Sequence, residues 1–584
     1  MGLRLIYGRA GTGKSEKCYK EISEKIKQNN KILIITPEQF SFTAEKKLME
    51  AIETEAVFNA EVVTFSRMAY RVIQEIGGRT ETNLSKCGKA MLIYSILNNC
   101  KKDLKFLGKT DENVDMAGTA ITEFKKHGIS VEQLKQETEK QSDIYLKNKL
   151  NDINMIYEKF QEQIAGKYID ETDLLTILAQ NVDKVPDFKE NLIYIDEFAG
   201  FTSQEYDIIQ KLVKIAKQVT ITICTDTIHE IKNADTDIFY SNQITINKLL
   251  QLASENDIKI EEVELEQTYR FKTPELKHLE QNLYNSKINY CEQIPQNIKI
   301  FLAKNQYSEI EEVAKKIYKL VRDENYRYRD IAVITKNIDT YSSLARAIFD
   351  KYNIPIFIDE NRDLSQNILV QYVLSILEIF TKNWTEEAVL NYIKIGFSEI
   401  DEDDLFRLEK YCLKWGIKQN KWKKEFTYGN YEEKDKEEIA RLEEIRKQII
   451  EPLISLKNKL DENKTAEGIS RTIYNFLIEQ NIAKKIKQKQ EKLEEQGLID
   501  LSNEYQNSIQ TIIDILDEIV LVFKDDKITL DKYAQILKVG FKNSSLTKIP
   551  GTQDQVIMGD IDRSRSHKVK AIFIIGLNDG VFPS

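Results

Sequence analysis

Eight residues near the N-terminus, GRAGTGKS, have the types and spacing of a phosphate-binding loop. Glycines let backbone N–H groups turn toward an anion, and a helix that starts after them adds the positive end of its dipole. By type and place, Lys14 is expected to contact the β- and γ-phosphates of ATP, and Ser15 to ligate Mg²⁺. The alternative is a chance match in a glycine-rich turn. The residues expected to bind the nucleotide are Gly8, Arg9, Ala10, Gly11, Thr12, Gly13, Lys14 and Ser15.

A pair of acidic residues supplies the carboxylate that such a loop needs. The apolar run 192–195 reads as a buried strand, and Asp196 and Glu197 follow at its C-terminal end, where ligands collect in open α/β sheets. Asp196 is expected to hold Mg²⁺, usually through water. Glu197 is expected to be catalytic and to polarise the attacking water. The alternative is an ordinary strand end with two solvated acids.

These residues need a parallel sheet to position them. Residues 3–7 read as a short buried strand, and residues 15–27 read as a helix with one apolar face. The stretches KILIITPEQFSF and AEVVTFSRMAYRVIQEIGG each combine a β-rich run with a helical pattern, and a further strand is expected at 219–224. Alternating strands and helices indicate an α/β fold with a RecA-like parallel sheet.

Length, charge and composition limit the class of protein. A chain of 584 residues exceeds one core, so about three or four domains are expected. The net charge of −10 excludes a surface that is basic throughout, but it allows a local basic channel. Six scattered cysteines with no Cys-x-x-Cys pair argue against a metal centre and suit a reducing cytoplasm. The sequence shows neither a membrane-spanning run nor a signal-peptide pattern, so a cytoplasmic protein is expected.

Several segments follow one another in an order that is typical of one family. They are GRAGTGKS, TPEQFSF, VVTFSRMA, IYIDEFAGFTSQE, LEQTYRF, SEIEEVAKKIYKLV, YRYRDIAVITKN and DIDRSRSHKVKAIFIIGLNDGVFP. This order resembles that of UvrD-like superfamily 1 helicases. It is more similar to the AddB-type subunit of the AddAB ATP-dependent helicase–nuclease, which processes DNA double-strand breaks. The phosphate loop alone is common to many families, whereas the ordered set is specific.

The resemblance implies roles for further residues. Arg270, in the segment QTYRF, matches the helicase arginine that reaches the γ-phosphate from the first core, and it is expected to be catalytic. The alternative is a surface arginine that pairs with Glu264 or Glu266. The residues that match the helicase segment touching single-stranded DNA are Thr64, Phe65 and Ser66.

The chain also departs from active helicases of this type. The first strand is expected to begin at Leu3, which leaves no room before it for the glutamine that reads adenine, and Ala199 and Gly200 stand where those helicases carry Gln-Asp. The third motif offers little beyond Asp226, and the arginine finger of the second core would lie beyond residue 584. The phosphate-binding parts remain while the parts that couple the nucleotide to movement are eroded, so a weak or inactive motor is expected. The positions that overlay the fifth motif are Asp560, Asp562, Arg565 and Ser566.

The resemblance implies two RecA-like cores, each interrupted by a mainly helical insertion. The first core is expected at 1–84 and 185–292, with its insertion at 85–184. The second core, which would be incomplete, is expected at 293–363 and 549–584. Its insertion is expected at 364–548, where the pattern is almost wholly helical.

The resemblance implies an ATP- and DNA-binding subunit that acts with an AddA-type helicase–nuclease subunit in the recombinational repair of double-strand breaks. The exonuclease domain and the iron–sulfur cluster of the family are expected only in a C-terminal half that this chain lacks. Single-stranded DNA is an expected partner and a membrane is not. The alternatives are a non-catalytic, nucleotide-stabilised scaffold that recognises a single strand, an active superfamily 1 helicase, or an unrelated P-loop kinase or NTPase.

Two basic stretches lie in the second insertion. KWGIKQNKWKKEF interleaves two tryptophans with lysines, a pattern in which aromatics stack bases while lysines hold phosphates. KKIKQKQEK is a second lysine run. The interpretation we favour is a solvated helix face with the tryptophans docked on their own domain.

Overall fold

In a computed structural model, the described residues form a six-stranded and a four-stranded parallel β-sheet, two small two-stranded sheets and an extensive layer of helices. The structure describes residues 2–52, 59–77, 81–107, 113–229, 237–283, 289–292, 294–360, 362–429, 433–496, 499–546, 554–561 and 569–582. The strands are β1 (Leu3–Gly8), β2 (Lys31–Ile35), β3 (Ala60–Val63), β4 (Thr82–Leu84), β5 (Tyr168–Asp170), β6 (Asn191–Ile195), β7 (Gln218–Cys224), β8 (Ile260–Glu264), β9 (Ile331–Thr335), β10 (Ile356–Ile358), β11 (Arg362–Asp363), β12 (Ser545–Leu546), β13 (Val556–Asp560) and β14 (Ala571–Ile574).

Helices account for most of the remaining secondary structure. In the first half of the chain they are α1 (Lys14–Lys27), α2 (Ser41–Ile52), α3 (Phe65–Ile76), α4 (Lys86–Cys100), α5 (Asn113–Lys126), α6 (Val131–Glu139), α7 (Ile144–Ile164), α8 (Glu171–Asn181), α9 (Ser203–Ile215), α10 (Tyr240–Glu255) and α11 (Pro274–Asn282). In the second half they are α12 (Gln306–Asp323), α13 (Ile338–Lys351), α14 (Ile368–Thr381), α15 (Glu386–Lys394), α16 (Glu402–Trp415), α17 (Glu433–Glu462), α18 (Ala466–Glu479), α19 (Ile482–Glu495), α20 (Ile499–Phe523) and α21 (Leu530–Lys542).

The first sheet has six strands in the order β3-β2-β6-β7-β1-β8, and every neighbouring pair is parallel. Its central strands β2, β6, β7 and β1 are largely buried because helices cover both faces of the sheet, whereas the edge strand β8 carries three glutamates. Helices α1 and α2 pack on one face, where the predicted apolar side of α1 is buried at Cys18, Tyr19 and Ile22. Helices α3, α8, α9 and α10 pack on the other face. The predicted α/β character and the parallel sheet are therefore confirmed.

The second sheet has four parallel strands in the order β10-β13-β9-β14 and packs on α12 and α13. The alternation of apolar residues in the segment IKIFLAKN predicts one more strand, before the helix that is now α12, and this prediction is wrong. Residues 298–303 have no strand assignment, and the side chains of Ile300 and Leu302 are 91% and 98% exposed. Between them, Phe301 packs on the sheet core, so the alternation of apolar residues in this segment did not place all of them inside.

The helices of residues 86–164 and 368–542 share one continuous hydrophobic core. Helices α4 and α21 approach closely at Gly540, where an added Cβ would lie 2.1 Å from Cε of Met91. A larger residue at this crossing would force the flexible end of the Met91 side chain to move, so the two helices pack tightly here. The two helical stretches, far apart in sequence, fold as neighbours.

A buried ionic cluster ties this helical layer to the first sheet. The ammonium groups of Lys89 on α4 and Lys125 on α5 lie 2.7 Å and 3.3 Å from the carboxylate of Asp170, which precedes α8. Lys125 also lies 2.9 Å from Asp173. Burial raises the pKa of Asp170, but the two ammonium groups outweigh it and the net pKa is lowered. Since α8 packs on the sheet, the cluster fixes where the helices meet it.

Candidate nucleotide site

The loop between β1 and α1 has a backbone that only glycine adopts readily. Gly11 and Gly13 have φ values of 78° and 84°, in the left-handed region. At Gly8 an added Cβ would lie 2.4 Å from the carbonyl oxygen of Leu265. Gly13 caps α1 without a side chain, so no side-chain cap competes for the N–H groups of the first turn. The loop thus leaves the positive end of α1 open to an anion.

Lys14 points into the loop. Its Nζ atom donates hydrogen bonds to the carbonyl oxygens of Gly8 and Arg9 at 2.7 Å and 2.9 Å. Burial lowers the pKa of Lys14, while the nearby carboxylate of Asp196 opposes that shift. A partly desolvated ammonium held by two neutral carbonyls interacts more strongly with a phosphate than a solvated one does.

Asp196 lies at the C-terminal end of β6, and β7 separates β6 from β1 in the sheet. Its side chain is buried, and the hydroxyl of Thr222 on β7 donates a hydrogen bond to Oδ1. The other oxygen, Oδ2, is buried and has no hydrogen-bond partner in the described part of the chain. Burial, with the adjacent Glu197, raises the pKa of this carboxyl. A buried carboxylate oxygen without a donor is suited to a cation, so the residues fit a magnesium ion.

Glu197 completes an acidic pair at the same sheet edge. Its φ of 68° is left-handed, a strained value for a glutamate that turns the chain sharply after β6. The carboxylate accepts hydrogen bonds from the Nζ atom of Lys47 on α2 at 3.2 Å and from the hydroxyl of Ser15 at 3.4 Å. Ser15 from the loop and Glu197 from the end of β6 are thus in contact across 182 residues of sequence.

The segment around Arg270 packs directly on the loop. The backbone N–H groups of Tyr269 and Arg270 donate to the carbonyl oxygen of Gly11 at 2.9 Å and 3.3 Å. An added Cβ at Gly11 would lie 2.6 Å from Cβ of Arg270. The side chain of Arg270 is exposed and forms no ion pair in the described part of the chain, with Glu264 or with any other acid. Its charge is close enough to Lys14 to oppose protonation there.

The remaining loop residues shape the site. Arg9 donates from Nε to Glu280 at 3.0 Å, and its guanidinium lies 5.0 Å from the ring centroid of Phe239. The Thr12 hydroxyl donates to the carbonyl of Arg9 at 2.9 Å, and Ala10 is half-buried. These contacts pin the loop from its outer side, so Arg9 acts on loop shape through Glu280.

Two residues of this site were not anticipated from the sequence. Thr222 orients the carboxylate of Asp196, and Lys47 neutralises Glu197. Thr222 lies within the strand expected at 219–224, and the side-chain alternation along that strand was a usable signal. No sequence signal links Lys47 on α2 to residue 197, because their contact depends on the packing of α2 against the sheet edge.

The segment expected to touch DNA follows β3 at the same edge of the first sheet. Thr64 is the N-cap of α3, and its hydroxyl oxygen accepts from the backbone N–H of Arg67 at 3.2 Å. Phe65 is buried and packs edge-on against Phe198, with ring centroids 5.6 Å apart. Ser66 is half-exposed. Of the three, Ser66 has the side chain open to solvent, while the other two hold α3 in place.

The basic stretches of the second insertion use their tryptophans internally. Trp422 is completely buried, and Trp415 stacks on Tyr428 with ring centroids 5.7 Å apart. On α19, Lys485 donates to the carbonyl oxygen of Phe397 at 2.8 Å. These placements agree with the interpretation that the tryptophans dock on their own domain.

Two further features are absent from the described ranges. No helix there is long and apolar enough to cross a lipid bilayer. No group of three or more His, Cys, Asp or Glu side chains gathers there into a metal-binding cluster. A magnesium ion bound with a nucleotide needs no such cluster, because phosphates and water supply most of its ligands.

The sequence is similar to known proteins over its whole length. Residues 5–280 match the family described as ADDB, N-terminal. A protein from Clostridium tetani (strain Massachusetts / E88), named as a subunit of an ATP-dependent helicase/deoxyribonuclease, is 40% identical over 100% of this chain and 53% of the relative. Proteins of the same name from Clostridium novyi (strain NT) and Acetivibrio thermocellus are 37% and 38% identical over 100% of this chain and 52% of each relative. The chain spans about half the length of the curated relatives it matches.

Proposed function

Because this chain belongs to the ADDB family, we propose that it is the ATP- and DNA-binding part of a helicase–deoxyribonuclease subunit. The observation that supports this most is the meeting of the loop with the acidic pair. Ser15 contacts Glu197, and Lys14 lies close enough to Asp196 for their charges to interact. Groups of the types that bind a nucleotide triphosphate and its metal therefore converge at one sheet edge.

The residues divide the work by position. Lys14, released from its two carbonyls, binds the β- and γ-phosphates, while Ser15 and the unpartnered oxygen of Asp196 hold the metal. Arg270 reaches the γ-phosphate, and Glu197 orients a water molecule. Mg-ATP supplies the phosphoanhydride bond and the charge that these groups recognise.

The two parallel sheets support a two-core interpretation of the molecule. We propose that the six-stranded and four-stranded sheets are two RecA-like cores, at 1–84 with 185–292 and at 293–363 with 549–584. The helices of 85–184 and 364–548 are then their insertions. The contact between α4 and α21 would couple the insertions mechanically. Of the fifth-motif positions, Asp560 ends β13, and 562, 565 and 566 lie outside the described residues.

We expect this chain to be a weak or silent motor. Purified protein should hydrolyse ATP at least about tenfold more slowly than the ~1 s⁻¹ lower end of typical enzymes, with little stimulation by single-stranded DNA. The reason is that the motifs coupling nucleotide to strand movement are eroded in the sequence. A phosphate-release assay with and without oligonucleotide measures this. Rapid turnover that DNA stimulates and Lys14→Ala abolishes would identify an active helicase instead.

One contact favours the second candidate, a non-catalytic scaffold stabilised by nucleotide. Lys47 lies 3.2 Å from the carboxylate of Glu197, which is therefore paired and less able to polarise water. The same assay separates the two candidates. Slow hydrolysis that Glu197→Gln abolishes supports an enzyme. A wild-type protein that binds Mg-ATP but hydrolyses it no faster than Glu197→Gln does supports the scaffold.

The names of the relatives support a wider role. We propose that the chain binds single-stranded DNA through the 64–66 segment, with Thr64 and Phe65 positioning Ser66 and the start of α3. It would act with an AddA-type partner subunit on double-strand breaks in the cytoplasm. The exonuclease and any iron–sulfur cluster would reside outside these 584 residues.

Arg270 provides a test of γ-phosphate recognition. Arg270→Ala should weaken Mg-ATP binding by about tenfold, the value of one hydrogen bond to a charged group, and leave Mg-ADP binding unchanged. The matched control is Arg322→Ala, because Arg322 is also exposed and lies on α12, which packs on the other sheet. Equal losses for ATP and ADP would show that Arg270 shapes the loop rather than reading the γ-phosphate.

A further inference from the structure

Two aromatic side chains stand exposed on neighbouring elements of the first helical insertion. The ring of Phe106, in the loop after α4, is 50% exposed, and that of Tyr145, on the first turn of α7, is 80% exposed. Exposed large apolar side chains are common on this chain, so these two matter because neighbouring elements carry them together. Both rings are therefore accessible to a ligand, and neither contributes to the hydrophobic core.

The loop that carries Phe106 is held rigidly. The carboxylate of Asp152, itself buried, accepts hydrogen bonds from the backbone N–H groups of Lys105, Phe106 and Leu107 at 3.1, 2.6 and 2.9 Å. Leu107 turns into the core and Phe106 turns out. A buried carboxylate that satisfies three consecutive N–H groups fixes this arrangement. The exposed ring is thus preorganised, which lowers the entropy cost of binding a ligand.

Helix α7 brings the second ring and a cation to the same place. Tyr145, Lys149 and Asp152 are spaced i, i+4 and i+7, so they share the helix face on which the loop docks. The Nζ atom of Lys149 lies 5.8 Å from the ring centroid of Phe106. The aromatic rings and a lysine therefore form one surface across two elements.

Lysines outnumber acids next to these rings, by five to three in residues 101–107 and 143–152. Four of these lysines take part in no ion pair within the described ranges, namely Lys101, Lys102, Lys105 and Lys149. The chain as a whole carries a net charge of −10. Besides the buried Asp152, the acids nearest in sequence are Asp103 and Asp143, and the side chain of Asp143 caps α7. We call the whole the Phe106 surface; its members are Lys101, Lys102, Lys105, Phe106, Tyr145 and Lys149.

We propose that the Phe106 surface is a second contact site for single-stranded DNA, remote in sequence from the 64–66 segment. This inference rests on the proposed function and extends it to the helical insertion. Lysines without acidic partners complement phosphates, and preorganised rings complement unstacked bases. The bases of duplex DNA are stacked inside the helix and are not accessible to such rings. A single strand is therefore the ligand that contacts both the lysines and the aromatic rings of the surface.

Binding of a fluorescent oligothymidylate to the full chain, followed by anisotropy, tests the proposal. The double variant Phe106→Ala/Tyr145→Ala should bind the single strand about tenfold or more weakly at fixed salt, because stacking is lost. The double variant Lys105→Ala/Lys149→Ala should lower the slope of log affinity against log salt by about 1.4, the value for two single-strand phosphates. Both variants should keep the wild-type thermal midpoint and Mg-ATP affinity, because the changed side chains are on the surface.

The matched control is Phe406→Ala, since Phe406 is 70% exposed but follows the acidic residues that begin α16. It should leave the affinity unchanged. If the wild type binds and the aromatic double variant binds equally well, the Phe106 surface is excluded while the proposed function stands. The aromatic double variant could also lose the same factor of affinity for blunt duplex DNA as for the single strand. In that case the surface contacts only the phosphate backbone, and the proposal of stacking on single-stranded bases is overturned. If the wild type binds no single-stranded DNA, the proposed DNA role fails as well.

Discussion

Replacing Lys14 with alanine is expected to weaken Mg-ATP binding by about a hundredfold or more, since two hydrogen bonds to charged oxygens are lost at about 1.5–3 kcal/mol each. The fold should survive. In the nucleotide-free protein the Lys14 ammonium bonds to two backbone carbonyls, and burial already lowers its pKa. Its removal therefore relieves a desolvated charge instead of breaking a salt bridge.

The measurement is calorimetric titration of the folded variant with Mg-ATP. The matched control is Lys17→Ala, which removes the next lysine of α1. That side chain faces Glu21 at 3.5 Å and does not enter the loop. Lys17→Ala should bind like the wild type. Retention of wild-type affinity by Lys14→Ala would remove the loop from nucleotide binding.

Asp196→Asn is expected to abolish most of the Mg²⁺ dependence of ATP binding. In the presence of the metal, the affinity for ATP should fall by about tenfold to a hundredfold. Its carboxylate oxygen Oδ2 is buried and lacks a donor in the described residues, and an amide binds a divalent cation far more weakly. Titrations with ATP in Mg²⁺ and in chelator measure the effect. Asp187→Asn is the control, since Asp187 pairs with Lys31 and Arg71 away from the loop. An unchanged Mg²⁺ dependence in Asp196→Asn would place the metal elsewhere.

The same substitution has an opposite effect on stability. Burial raises the pKa of Asp196, so its ionised form destabilises the folded state at neutral pH. That penalty disappears as the pH falls through the raised pKa, because the folded protein then takes up the proton. Asp196→Asn should therefore raise the free energy of unfolding at neutral pH by about 1 kcal/mol and remove this pH dependence. Urea unfolding at several pH values gives the comparison, and a large loss of stability would contradict it.

Local spacing was enough to find the centre of the candidate site. The sequence displays two short local motifs directly. One is a glycine-rich loop between an apolar strand and a helix, and the other is an acid pair after a second apolar strand. The parallel sheet then brings the two together because both lie at the C-terminal ends of their strands. The contact between Ser15 and Glu197 follows from these facts.

Contacts between distant segments were not predictable in the same way. Where α21 approaches α4, Gly540 packs against Met91, and the sequence does not mark the two residues as a pair. The pairing of Lys47 with Glu197 likewise depends on the packing of α2. In the segment IKIFLAKN the local pattern itself is misleading. Its apolar alternation predicts a strand, but the side chains of Ile300 and Leu302 lie in solvent. Phe65 was expected at a DNA surface and contributes to the core.

The most direct measurement is a titration of the folded chain with ATP in the presence and absence of Mg²⁺. We expect saturable binding of one nucleotide per chain, strengthened by the metal through Asp196 and lost in Lys14→Ala. A chain that is folded by circular dichroism and shows no heat of binding and no nucleotide-induced rise in its melting temperature would contradict the assignment of this loop as a nucleotide site.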